Sequence, residues 1–314
     1  MRDILKDEIV DVKIGEGLTG LKLIEMYGKM GGFSASFLYD AYKIALSMFK
    51  DEDCKVFLSF TANLIATGLR GVISELISKG LIDIIVTTGG AVDHDVARAE
   101  GGKYYHGSFD MDDAMLSEMK IHRLGNILVP LDSYGPIVER FTWSLLDELV
   151  KDRNVWGVRE LLQRVGEKLD DESSFLRQAY LHNVPVYVPG IVDSAFGTNL
   201  FMYSQSKRFF IDLLKDMKEL SDLIFDSRKT GAIIIGGGIS KHHTIWWNQF
   251  KGGLDYAIYI TTALEYDGSL SGARVREAVS WGKVKPEAGK VTVYGDATII
   301  LPILLGSIYE SLNV

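Results

Sequence analysis

The chain contains one cysteine, Cys54, in 314 residues, which excludes an internal disulfide and a thiolate metal cluster. Prolines number only six, and no linker, low-complexity tract or internal repeat divides the sequence. No apolar run approaches the ~20 residues that a membrane helix needs. The longest, Ala297 to Ile308, is expected to form a buried helix. Basic charge is in deficit: 34 Lys and Arg face 42 Asp and Glu, for a formal charge of −8. That balance argues against a nucleic-acid surface; it is compatible with a cationic substrate, but mild acidity is the commonest default for soluble proteins and is the better reading. Met1 to Glu8 carry no apolar signal region, so the expectation is a cytoplasmic protein with neither a membrane nor a nucleic-acid partner.

What is present is ordinary globular composition, 47% hydrophobic and 24% charged, with strands that end in small or polar residues. Val56 to Phe60 leads into Thr61-Ala62-Asn63 and a helical pattern up to about Lys79. Ile82 to Thr88 ends at Gly89-Gly90, and Ala232 to Ile235 ends in Gly236-Gly237-Gly238. Asn126 to Pro130, Pro185 to Val188, Tyr256 to Ile260 and Val291 to Tyr294 read as further strands, and Glu139 to Gln178 as helices broken near Asp170-Asp171. Continuous apolar strands between helices predict an α/β fold: a mostly parallel sheet with helices on both faces. The simplest organisation is a single domain over residues 1–314, with 1–30 an N-terminal extension packed on it.

In such sheets ligands sit where strands end and helices begin, because helix N-termini present free N–H groups. Asn63, Gly89-Gly90, Gly236-Gly237-Gly238 and Asp296 occupy such junctions and suit a phosphate-bearing cofactor. Gly15 to Gly20 matches a Gly-x-Gly-x-x-Gly fingerprint after the strand-like Ile9 to Ile14, but it is read as a decoy. The second strand it requires is replaced by helical spacing of Phe37, Tyr39, Ala41, Ile44 and Met48. Asp93, His94 and Asp95 stand in a helix start, where capping is the default role and cofactor or substrate contact the sharper one. Asp110, Asp112 and Asp113 read as a solvated loop or helix start. Of His242 and His243, one is expected to function and the other to pack; neither has a partner at zinc-ligand spacing, so no metal is expected.

The most informative stretch runs from Arg276 to Val284: Lys283 follows Trp281 by two residues and Glu277 by six. An ordinary lysine is neutral, and so nucleophilic, in about one molecule in 2,500 at pH 7. A flat apolar indole beside the amine disfavours the charged form, and a carboxylate can pair with a substrate cation. Imine chemistry on an amine-bearing substrate is the reading that follows.

Seven collinear blocks over roughly residues 30 to 305 resemble deoxyhypusine synthase. They are Thr61 to Gly68, Thr87-Thr88-Gly89-Gly90, Gly236 to His243, Asp255 to Ile260, Asp267-Gly268-Ser269, Glu277 to Lys283 and Tyr294 to Ala297. The resemblance implies a Rossmann-like homotetramer with active sites between subunits. It implies an enzyme that uses NAD to take a hydride from spermidine beside its secondary amine. A lysine captures the resulting imine, 1,3-diaminopropane leaves, and the aminobutyl group passes to a lysine of the translation initiation factor 5A precursor, where the retained NADH reduces the new imine. By the match, Lys283 forms the imine, Trp281 lines the polyamine slot, Glu277 pairs with a substrate amine and His242 is the active-site histidine. NAD contacts fall on Ala62, Asn63, Leu64, Ile65, Ala66, Thr88, Gly89, Gly90, Asp193, Gly237, Thr262, Ala263, Asp296 and Ala297. Asp93, His94, Thr198, Gly268, Ser269 and Leu270 fall on substrate positions.

Three of these depart from the family pattern. His94 stands where a glutamate is common, and Thr198 replaces an aspartate that grips a spermidine amine. Leu270 replaces an aspartate of eukaryotic members, as archaeal-type members can. Each lost acid removes a charge-assisted hydrogen bond worth about 1.5–3 kcal/mol, so the departures bear on polyamine preference. Two alternatives stay open: a homospermidine-synthase-like enzyme with putrescine as acceptor, and a catalytically weak subunit of a mixed tetramer. Lys283 and Trp281 are intact, which disfavours the second.

Overall fold

The computed structural model describes residues 8–313, so residues 1–7 of the expected N-terminal extension lie outside the described residues. The chain forms two compact units, one running to Phe57 and resuming at Asp226, the other Leu58–Phe225. In the first unit, Ile9 to Ile14 is not a strand. Ile9 and Ile14 are solvent-exposed, and no described strand pairs with the segment. A turn at Glu16-Gly17 leads to Thr19, whose hydroxyl accepts from the Lys22 amide and starts α1 (Gly20–Met30). The fingerprint is thus a helix start, as its decoy reading expects. Next comes α2 (Phe33–Lys50), which buries Leu38, Ala41, Tyr42, Ala45 and Met48 at three- and four-residue spacing. Strand β1 (Cys54–Ser59) carries the chain from one unit into the other.

The second unit begins with a 3-10 turn at Ala62–Leu64, then α3 (Leu69–Ser78), β2 (Ile84–Val86) and α4 (Gly89–Ala99). There follow β3 (Tyr105–His106), α5 (Asp113–Glu118), β4 (Ile121–Leu124), β5 (Ile127–Pro130) and α6 (Gly135–Leu149). The remainder is β6 (Val155–Trp156), α7 (Val158–Lys168), α8 (Phe175–Leu181), β7 (Val186–Tyr187), α9 (Ala195–Ser204), β8 (Phe210–Ile211) and α10 (Leu213–Asp226). Strands β2 and β7 are parallel, and the Phe60 amide after β1 donates to Val86 O of β2. The strand expected at Asn126 to Pro130 forms, but it belongs to a separate antiparallel sheet of order β3-β5-β4. Gly125-Asn126 is the cause: Gly125 takes φ +61°, and this two-residue loop folds β4 back on β5 as a hairpin. Asp112 caps α5 by accepting from the Ala114 and Met115 amides, so the acidic cluster contains a helix start.

Returning to the first unit, the chain lays down β9 (Lys229–Ile235), α11 (Gly238–Gln249), β10 (Leu254–Thr261), α12 (Val275–Ser280), β11 (Val284–Tyr294) and α13 (Ala297–Leu312). Strands β11, β10 and β9 are parallel neighbours in that order, with β1 next to β9. Ile233, Ile234, Ile235, Ile258, Tyr259 and Ile260 are all buried, as strands without a solvent face should be. Helix α2 packs on β10, β11 and α13, while α12 packs on β11. The fold is α/β with mostly parallel pairing, as the strand pattern predicts. The apolar Ala297 to Ile308 run is the body of α13, with Leu301, Leu304 and Ile308 buried.

Candidate active site

The Trp281-Gly282-Lys283 spacing is dictated by how α12 ends. Gly282 adopts φ +66°, its amide donates to Val279 O at 3.0 Å, and the Lys283 amide donates to Ala278 O at 2.9 Å. This pair of crossed bonds is the Schellman stop, which needs a left-handed residue that only glycine enters without strain. Lys283 O then accepts from the Leu254 amide, and β11 begins at Val284. Backbone on both sides therefore fixes where the side chain starts.

Lys283 is 8% exposed. Its Nζ lies 5.2 Å from the Trp281 ring centroid and 5.8 Å from that of Trp246. Trp281 itself is largely exposed, a rim rather than a core residue. A cavity of about 170 Å³ is lined by Lys283, Trp281, Glu277, Leu270, Lys241 and Tyr259, among others. The Tyr259 hydroxyl is buried there without a hydrogen-bond partner.

Helix α11 supplies the opposite wall. Gly236 and Gly238 take φ +81° and +66° to turn β9 into the helix, and a Cβ on Gly237 would strike Ser271. Lys241 is buried; its Nζ donates to Leu270 O at 2.6 Å and Ala273 O at 2.9 Å, and burial pushes its pKa down to about 8 against the pull of Glu277. His242 stacks on Trp246 at 5.4 Å, one helical turn away, and is held below the ordinary histidine range by burial and then by the charge of Lys283. His243 points elsewhere, edge-on to Trp247, and burial lowers its pKa to about 4, with His242 adding to the effect. Gly268 and Ser269 lie in the exposed turn before Leu270. Thr262 and Ala263 follow β10, and exposed Asp296 caps α13 by accepting from the Thr298 amide at 2.8 Å, with Ala297 opening the helix.

In the second unit, β2 gives way to α4 at Thr88-Gly89-Gly90. A Cβ on Gly89 would lie 2.5 Å from Ser194 Cβ, and one on Gly90 2.9 Å from Ala62 Cβ, so both positions demand glycine. The Thr88 hydroxyl is buried without a partner. The Ala62 to Ala66 turn, with Asn63 exposed and Leu64, Ile65 and Ala66 buried, is held by Arg98, which donates to Ile65 O at 2.8 Å and Thr67 O at 2.6 Å.

Asp93 is buried and accepts from the Ala195 and Phe196 amides and from Tyr134 OH, so its carboxylate secures the start of α9. His94 hydrogen-bonds through Nδ1 to Tyr104 OH at 2.7 Å and lies against Tyr134; burial and the nearby Arg98 bring its pKa to about 4. Asp95 pairs with buried Arg70 at 2.5 Å and also accepts from Ser174 OH and the Leu176 amide. Asp193 is exposed in the turn before α9, and Thr198 returns its hydroxyl to Ser194 O while lining an apolar cavity of about 550 Å³ with Phe201 and Phe210. Among the described residues, no group of three or more His, Cys, Asp or Glu is arranged to hold a metal ion.

Lys283, Trp281, Glu277 and Leu270 thus converge on one cavity, with His242 at Trp246 beside it. Sequence reasoning missed Trp246, Tyr259 and the role of Lys241, although the four-residue step from His242 to Trp246 was visible. Tyr104 and Tyr134 carried no sequence signal, because their meeting with His94 and Asp93 depends on segments distant along the chain.

The deoxyhypusine synthase family description matches residues 22–308. A curated relative from Sulfurisphaera tokodaii, named as a probable deoxyhypusine synthase, is 54% identical over 98% of each chain. Another so named, from Picrophilus torridus, is 49% identical over 96% of this chain and 97% of its own. A crystal structure assigned to a deoxyhypusine synthase from Entamoeba histolytica shares the fold at TM-score 0.65 and 19% identity, covering 96% of this chain and 97% of that one. The chain belongs to the deoxyhypusine synthase family and is a transferase.

Proposed function

We propose that the chain transfers the 4-aminobutyl group of spermidine to a specific lysine of the translation initiation factor 5A precursor, with NAD as redox partner. The observation that carries this reading is the Lys283 amine, nearly buried beside Trp281 and Trp246 in a cavity that also holds Glu277. No acceptor among the described residues engages Lys283 Nζ, which leaves it for a substrate carbon. Lys283 attacks the imine of the oxidised polyamine, releasing 1,3-diaminopropane, and then yields the aminobutyl group to the acceptor lysine. Glu277 pairs with a substrate ammonium, Trp281 flanks the methylene chain, and His242 moves a proton at the reacting amine.

The residues present fit a dinucleotide. The α4 N-terminus at Gly89-Gly90 offers free amides beside the unpartnered Thr88 hydroxyl, and the α11 and α13 N-termini follow strands in the same way. Bound NAD would accept a hydride from the carbon beside the secondary amine and later return it. By the family match, the residues that would hold it are Ala62 to Ala66, Thr88 to Gly90, Asp193, Gly237, Thr262, Ala263, Asp296 and Ala297. The assembly proposed is a cytoplasmic homotetramer. Among the described residues no helix is long and apolar enough to cross a membrane.

Incubating the purified protein with NAD, labelled spermidine and either the factor precursor or putrescine tests the proposal. Label on the precursor supports it. Label in free homospermidine shifts the acceptor to putrescine, and no label without a second subunit type identifies a supporting subunit.

A further inference from the structure

Lys241 and Lys283 line the same cavity yet are arranged in opposite ways. Lys241 is 1% exposed, and among the described residues no carboxylate reaches ion-pair distance from it. A buried ammonium without an acid partner is unfavourable unless other groups satisfy each of its hydrogens. Here two go to the carbonyls of Leu270 and Ala273, and the third faces the Tyr259 ring, whose centroid is 4.2 Å from Nζ. No hydrogen remains for a substrate.

The segment that Lys241 grips has little regular structure of its own. It leaves a single 3-10 turn at Gly268, which takes φ +69°, and Tyr266 ahead of it is 87% exposed. Its midpoint is anchored separately, because Thr261 OH donates to Ser271 O at 3.1 Å and Gly237 packs against Ser271. The carbonyls on either side of that anchor are the two that Lys241 holds, and Leu270, Ala273 and Arg274 all line the cavity.

We propose that Lys241 is a positioning residue that clamps the Ser269 to Arg274 turn as one wall of the cavity in which Lys283 works. The proposal rests on the reading of Lys283 as the reacting amine. The clamp carries a charge that is lost as pH rises through about 8. The charged or titratable groups around it are Glu277 on α12, Tyr259 on β10, Arg274 in the turn, His242 on α11 and Lys283. With the charge gone, the remaining N–H bonds to Leu270 and Ala273 weaken, and the wall loosens at alkaline pH.

Hydrogen–deuterium exchange on the full chain, with polyamine turnover measured in parallel, tests this for wild type, Lys241→Met and Lys241→Arg. In the Met variant, exchange over residues 269–274 should rise about tenfold while the rest of the chain is unchanged, and KM for the polyamine should rise about tenfold with a smaller loss in kcat. The Arg variant should restore protection and remove the rise in KM near pH 8, since a guanidinium stays charged. Should the Met variant fail to fold, Lys241→Gln, which keeps an amide donor, replaces it with the same expectation. Unchanged exchange in a folded Met or Gln variant overturns the clamp. Unchanged KM with kcat abolished also overturns it, by placing Lys241 in the chemistry. If wild type transfers no aminobutyl group, the functional reading fails while the exchange result still decides the clamp.

Discussion

At Lys283, apolar surroundings and chemical freedom coincide. Nothing in the described structure engages its amine, and the indoles of Trp281 and Trp246 flank it instead. Lys283→Ala should therefore reduce aminobutyl transfer below detection while NAD binding, followed by fluorescence titration, persists; undiminished transfer would reject the assignment. Trp246→Ala opens the second side of the amine and lets water reach it, so a loss of about tenfold or more in kcat/KM is expected, read from the same labelled-spermidine assay. Trp246 is one of the residues at which sequence reasoning fell short, because a tryptophan in a helix is usually packing and only the tertiary fold brings it to 5.8 Å from Lys283 Nζ.

At the scale of elements, the end of α12 determines where the Lys283 amine stands. Gly282 has open space around its Cα, so a methyl group would clash with nothing and the penalty for Gly282→Ala is purely conformational. Holding alanine at φ +66° costs about 1 kcal/mol. Chemical denaturation should show that loss, and kcat should fall further than stability does as Lys283 shifts. A second element-level device is Asp216 on α10, whose carboxylate accepts from the Arg159 amide at the start of α7 at 3.0 Å. Burial is the main cause of its pKa of about 7, with Glu219 and Glu160 adding to it. The folded chain binds a proton here that the unfolded chain has released above about pH 4, so stability is complete below that point and falls as pH rises through 7. Asp216→Asn should stabilise the protein on the order of 2 kcal/mol at pH 8 and leave it unchanged near pH 4, read from urea unfolding.

Across the whole molecule, two half-buried imidazoles set the acid limit. His94 and His243 titrate near 4 in the folded chain against an ordinary 6.5. Between those values the unfolded chain takes up protons that the folded chain refuses, so stability is complete above about pH 6.5 and declines as pH falls toward 4. Each contributes on the order of 2–3 kcal/mol to that decline. Replacing both with glutamine should flatten thermal stability over this window, and an unchanged acid slope would reject the account. Sedimentation of the purified chain should give four copies per particle, the assembly proposed above.

Local patterning determined the α/β class, the helical α2 behind a false dinucleotide fingerprint, and the motif that ends in Lys283. These are readable because hydrophobic period, strand-ending glycines and a helix stop act over a few residues. Asn126 to Pro130 was legible as a strand but not as part of the β3-β5-β4 sheet, since pairing depends on the fold-back at Gly125 and on Tyr105 and His106 further off. The tertiary structure alone decided that Trp246 and Tyr259 join Lys283, that Lys241 is tied to Leu270 and Ala273, and that Asp93 secures α9 through Ala195 and Phe196. Such contacts join residues tens of positions apart, where burial and hydrogen-bond geometry choose the partners and no local period records the choice.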